Sequence, residues 1–101
     1  MNNEVICVAT FTAKTGKSDA LCKAMSDLVE PTRREAGCLS YTLNQSLNNP
    51  NIFTMLERFK NQDAFDLHSK ESYLLNFKNN ILNELVESNS ISVTLYNEVS
   101  K

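Results

Sequence analysis

The sequence predicts an α+β fold in which helices cover one face of an antiparallel sheet. Three observations predict it. Strand-like and helix-like patterns alternate along the chain, a dense turn signal joins two of the strands directly, and the first strand is apolar in both of its registers. At 101 residues the chain is expected to be a single domain spanning 1–101. With 42% hydrophobic and 22% charged residues its composition is that of an ordinary globular protein.

Val5 to Ala13 is the first predicted strand. Val5, Cys7, Ala9 and Phe11 fall on one face, with Ile6 and Val8 on the other, so both faces are expected to be covered. Lys14-Thr15-Gly16-Lys17 is a turn. Lys17 or Ser18 opens a helix, with Asp19 well placed in its first turn. Ala20, Leu21, Ala24, Leu28 and Val29 form its apolar stripe. Pro31 lacks a backbone donor and predicts a kink near Val29 or a restart, and Gly37 is the natural terminator.

Cys38 to Ser46 reads as a second strand and Ile52 to Phe59 as a third, joined by the turn Leu47-Asn48-Asn49-Pro50-Asn51. Asn61 caps a short helix carrying Ala64, Phe65 and His68 on one side. Ser72 caps a longer one with Leu74, Leu75, Phe77, Ile81, Leu82 and Leu85. Ser88-Asn89-Ser90 is a loop, and Ile91 to Val99 is the last strand, alternating Ile91, Val93, Leu95 against Ser92, Thr94, Tyr96. The order β-α-β-β-α-β is the ferredoxin-like arrangement, with its second helical region split. Helices cover one face of such a sheet, so the other apolar face predicts an isologous homodimer.

Composition excludes several functions. A net charge of −2 argues against nucleic acid as a partner, because phosphate binding needs clustered Lys and Arg. No apolar run is long enough to span a membrane. Met1-Asn2-Asn3-Glu4 lacks the basic start of a leader peptide, so a cytoplasmic location is expected. Cys7, Cys22 and Cys38 are odd in number and without CxxC spacing, and one histidine completes no familiar zinc pattern with them. They are expected as reduced core thiols, with no metal site. Gly16-Lys17-Ser18 lacks the glycine five residues upstream that a phosphate loop requires, since Phe11 stands there.

Among the residues that carry chemistry, His68 is the one of a type whose unperturbed pKa lies near neutrality. It is either a structural histidine on the inner face of its helix or a site base. Glu57 lies between Met55 and Phe59 on one strand face, where a carboxylate needs a partner. It either orients His68 or pairs with Arg58 or Lys60. Tyr41 and Tyr96 lie in strands, where they either pack as core tyrosines or point hydroxyls into a pocket. Arg33 and Arg34 end the first helix, where they complement its dipole or anchor an anionic oxygen.

Three pieces of the chain carry a resemblance. They are Phe11-Thr12-Ala13-Lys14 with Gly16-Lys17; Pro31-Thr32-Arg33 with Glu35, Gly37-Cys38 and Tyr41; and Glu57 with Phe59, then Ala64-Phe65 and His68. In this order they resemble the antibiotic biosynthesis monooxygenase (ABM) family of small dimeric α/β barrels. That resemblance implies a cofactor-free oxygenase acting on a quinol or aromatic polyphenol with O2. His68 is then the base, Glu57 its orienter, and Tyr41 or Arg33 the holder of the oxyanion. Phe59, Phe65, Leu74, Phe77 and Tyr96 supply the substrate-binding wall. The resemblance also implies two alternatives, an isomerase of a small oxygenated metabolite and a non-catalytic ligand-binding dimer. The haem-degrading members carry an Asn on the first strand, a Trp ending the third, and a His on the last helix. Here Ala9 and Thr10, Phe59, and Phe77 and Lys78 stand in those places, which argues against haem degradation. Tyr73 stands near the place where many relatives carry a second His.

Overall fold

The structure is a computed structural model that describes residues 3–100; Met1 and Asn2, on which the leader argument partly rests, and Lys101 lie outside the described residues. Its elements are β1 (Val5–Thr12), α1 (Ser18–Arg33), β2 (Cys38–Gln45), β3 (Ile52–Phe59), α2 (Gln62–Ser69), α3 (Ser72–Asn76), a π-helical turn (Phe77–Ile81), α4 (Leu82–Leu85), a 3₁₀ turn (Ser88–Ser90) and β4 (Ser92–Tyr96). The four strands form one antiparallel sheet in the order β2-β3-β1-β4, the ferredoxin-like α+β topology the sequence predicts.

Register decides which side chains meet. Cys7 lies opposite Glu57 on one side and Leu95 on the other, and Glu57 lies opposite Tyr41. Side chains directly opposite share a face, so Tyr41, Glu57, Cys7 and Leu95 form one row across the helix side of the sheet. The next row, Leu43, Met55, Ala9 and Val93, lies on the same side. Phe53, Met55 and Phe59 of β3 and Leu21, Met25 and Leu28 of α1 are buried between sheet and helices. The α1 stripe therefore runs through Met25 and Thr32 in addition to Leu21 and Leu28, while Ala20 is exposed.

The opposite face carries Ile6, Val8, Leu56 and Tyr96, of which Leu56 and Tyr96 are 44% and 53% exposed. All five residues of β4, an edge strand, are exposed. No helix among the described residues is long and apolar enough to cross a membrane.

Several local expectations change. Pro31 does not restart α1, which runs unbroken to Arg33. With the helix ending two residues later, the missing donor interrupts little, and the chain tightens through bonds from Arg34 N to Pro31 O (3.2 Å) and Glu35 N to Thr32 O (3.0 Å). Gly37 does not terminate the helix. Its φ is not positive, and a Cβ built on it would lie 2.3 Å from Cβ of Ala64. The residue is glycine because β2 and α2 approach closely there. Gly16, at φ 78°, is the position where the turn needs glycine. Asn61 caps α2 through a 2.8 Å bond from Ala64 N. Ser72 is the first residue of α3 and offers no cap. The last strand ends at Tyr96, three residues before Val99.

Candidate active site

His68 is in the last turn of α2 and is 2% exposed. Its ring rests against Phe59, with centroids 4.9 Å apart, and meets Tyr41 edge-on at 5.6 Å. Nδ1 lies 3.0 Å from Oε2 of Glu35. Glu35 is in the turn after α1, its N–H donating to Thr32 and its carbonyl accepting from Cys38 N at 3.1 Å, so both sides of the residue are fixed. The Tyr73 hydroxyl donates to the same carboxylate oxygen. A carboxylate accepting from Nδ1–H selects the tautomer in which Nε2 is unprotonated.

Nε2 is 3.7 Å from Oε1 of Glu57, too far for a hydrogen bond. Glu57 is 5% exposed, and its Oε1 has no hydrogen-bond partner among the described residues. Burial pushes its carboxyl up to about 7; a hydrogen bond from the Cys7 thiol and the charge of Lys78 work against this, and the charge of Glu35 works with it. Burial, with the neighbouring Glu57, also pushes the Cys7 thiol up to about 12, and raises Tyr41 above the ordinary phenol range. Both are therefore neutral donors at neutral pH. Burial raises the Tyr73 hydroxyl too, helped by its bond to Glu35.

His68, Glu57 and Tyr41 share one cavity of about 340 Å³ between sheet and helices. Its wall is apolar: Phe11, Met25, Leu28, Met55, Phe65, Leu74 and Phe77. The π-helical turn shapes one side. Leu74, Phe77, Lys78 and Leu82 face the cavity along this segment. Ile91 and Val93 line the side towards β4. No cluster of three or more metal-ligating side chains occurs among the described residues.

Five site expectations change. Glu35, not Glu57, holds the Nδ1 side of His68. Arg58 does not pair with Glu57, because neighbouring strand residues point to opposite faces; it bonds Glu4 and Glu98 at 2.6 and 3.3 Å on the outer face. Tyr96 lies outside the cavity for the same reason, since its register opposite Ile6 puts it on the outer face. Arg33 is also outside. Its Nε donates to the Tyr41 carbonyl at 3.0 Å, satisfying an acceptor on the edge strand β2. Phe59 supports the imidazole and does not line the cavity, whereas Phe65, Leu74 and Phe77 do. Glu35, Tyr73, Cys7 and Lys78 join the site with no role assigned to them from sequence, although Glu35 belongs to the second stretch of the resemblance and Tyr73 stands near the place of the relatives' second His.

The sequence profile described as Antibiotic biosynthesis monooxygenase matches residues 4–80. A Mycobacterium tuberculosis protein named "Putative monooxygenase Rv0793" is 30% identical over 78 residues, covering 77% of this chain and 76% of that protein. A crystal structure of a Shewanella oneidensis protein superposes with a TM-score of 0.91 at 38% identity, over 95% of this chain and 91% of that one. One from Pseudomonas aeruginosa gives 0.88 at 30% identity, over 99% and 98%. With the profile spanning most of the chain and the fold agreeing, the protein belongs to the antibiotic biosynthesis monooxygenase family.

Proposed function

We propose that the protein is a cofactor-independent monooxygenase of a small quinol or polyphenol, working in the cytoplasm. The observation that carries this reading is an imidazole held by Glu35 at Nδ1 in a histidine that lines an apolar cavity. Oxygenation of an electron-rich phenol needs a base, a donor for the resulting oxyanion and a dry enclosure. His68 takes the phenolic proton at Nε2. The neutral Tyr41 hydroxyl supplies a hydrogen-bond donor in the same cavity. The phenolate gives an electron to O2 and forms a C–O bond at a ring carbon. The resulting peroxide receives the proton from His68. The O–O bond then breaks, the outer oxygen leaving as hydroxide that takes up the ring proton to become water, and the inner oxygen stays as a new quinone carbonyl. Aerobic oxygen uptake with a panel of dihydroxynaphthalenes tests this reading. Uptake above the spontaneous rate that disappears in His68→Ala is expected; no uptake by the wild-type chain ends the proposal.

The approach of His68 and Glu57 within one cavity favours a second reading, a proton-shuttling isomerase. It predicts solvent deuterium entering the substrate with no oxygen consumed.

The sheet face carrying Ile6, Val8, Leu56 and Tyr96 supports a homodimer in which the same face of a second copy covers it.

A further inference from the structure

We propose that Lys78 holds an anionic group of the ligand at the mouth of the cavity. The substrate class is then an aromatic acid, a phenol or quinol whose ring system also carries a carboxylate. This inference rests on the reading above of the cavity as the substrate site.

The cavity wall is mostly apolar, so its few charged side chains decide which ligands it accepts. Among the described residues, Glu57 and Lys78 are the Asp, Glu, Lys or Arg side chains that border it. They stand at opposite depths. Glu57 is buried, whereas Lys78 is exposed although it follows Phe77, which is 3% exposed on the same wall. A residue that lines a cavity and also reaches solvent stands at its opening.

The charge of Lys78 is felt inside. It opposes the upward push that burial gives the Glu57 carboxyl and the Cys7 thiol. No ion pair among the described residues involves Lys78, whereas Arg58 is held by Glu4 and Glu98 on the outer face. Its ammonium therefore keeps donors for a ligand. Glu57 does not supply the answering charge, because its Oε1 is buried and its carboxyl is part-protonated near neutral pH. A ligand carboxylate supplies it instead.

The same contrast sets the ligand's direction. A carboxylate pushed to the deep end would lose its hydration among apolar side chains and meet the charge of Glu57. At Lys78 it keeps water on one side and gains an opposite charge. The phenolic end then points inward to His68. The volume of about 340 Å³ is at the small end of ligand sites, which suits one or two fused rings between the two ends.

The test is anaerobic calorimetric titration of the full chain with 5-, 6- and 7-hydroxy-2-naphthoate, each against its carboxamide. At least one acid is expected to bind about fivefold more tightly than its amide, an advantage that shrinks as salt is raised. Lys78→Met keeps the apolar stem and should erase the advantage, and Lys78→Arg should keep it. Should Lys78→Met not fold, Lys78→Gln takes its place. Acids no tighter than their amides for all three isomers, no binding by any of them, or an advantage that survives loss of the charge each overturn the proposal. Oxygen uptake with the dihydroxynaphthalene panel is scored separately. An acid preference without uptake sustains this inference and removes the oxygenase reading. Uptake without an acid preference does the reverse.

Discussion

Nδ1 of His68 sits 3.0 Å from Oε2 of Glu35, thirty-three positions away in sequence. The catalytic geometry proposed here therefore depends on the turn after α1, whereas β3 supplies a separate carboxyl facing the same cavity. Glu35→Gln should weaken the tautomer preference of His68 and lower kcat about 100-fold. Tyr73→Phe, which removes the second donor to Glu35, should cost about tenfold or less. Because the chain has a single histidine, its ¹⁵N resonances report the tautomer directly. An unchanged spectrum in Glu35→Gln would remove Glu35 from this role.

Glu57 makes stability depend on pH. Its carboxyl titrates near 7 in the folded protein against an ordinary value of 4.5, chiefly because it is buried. Between these values the folded chain keeps a proton that the unfolded chain releases. Stability is thus highest below about pH 4.5 from this group, falls as pH rises to about 7, and is level above, a loss of about 3 kcal/mol. Glu57→Gln should flatten the decline and exceed wild type at pH 8. Urea denaturation from pH 5 to 8 measures both slopes, and parallel slopes would contradict the assignment.

Gly37 and Ala64 form a tight contact between β2 and α2. A Cβ at position 37 would lie 2.3 Å from that of Ala64, a clash of backbone-anchored atoms. Gly37→Ala should destabilise the fold by about 1–3 kcal/mol. Adding Ala64→Gly should recover part of the loss despite the lower helix propensity of glycine. Thermal melts of the single and double variants check this, and additive losses would point to another cause.

Asn61 caps the eight-residue helix that carries His68. Asn61→Ala should cost about 1 kcal/mol and raise amide exchange along α2. Asn61→Asp, which keeps an accepting oxygen, should restore protection. Exchange that stays at the wild-type rate in the alanine variant would show that packing alone holds the helix.

The proposed homodimer has its own test. Leu56 is exposed on the outer sheet face beside Ile6 and Val8. Leu56→Arg should convert a dimer to a monomer in sedimentation measurements at micromolar concentration. A wild-type chain that is already monomeric there would remove the second copy from the account.

Much of the fold was legible because it follows from local pattern. The alternation in β1 and β3, the turn Leu47–Asn51, the Asn61 cap and the inward set Ala64, Phe65, His68 all rest on periods of two or 3.6 residues, which the backbone imposes wherever the chain lies. The π turn was not legible, because a single inserted residue changes which side chains line up without leaving a mark in composition. Pro31 and Gly37 misled for a related reason: each has a local meaning, and packing gave it another.

The chain by itself determined the element order, the sheet topology and the histidine on an inner helix face, since apolar periodicity and turn chemistry act over a few residues. Only the tertiary structure decided that Glu35 and Tyr73 reach that histidine, that Glu57 faces the cavity beside Cys7, and that Tyr96 and Arg33 lie outside it. Those relations depend on strand register and on turns that bring distant segments together, and no window of sequence contains both partners.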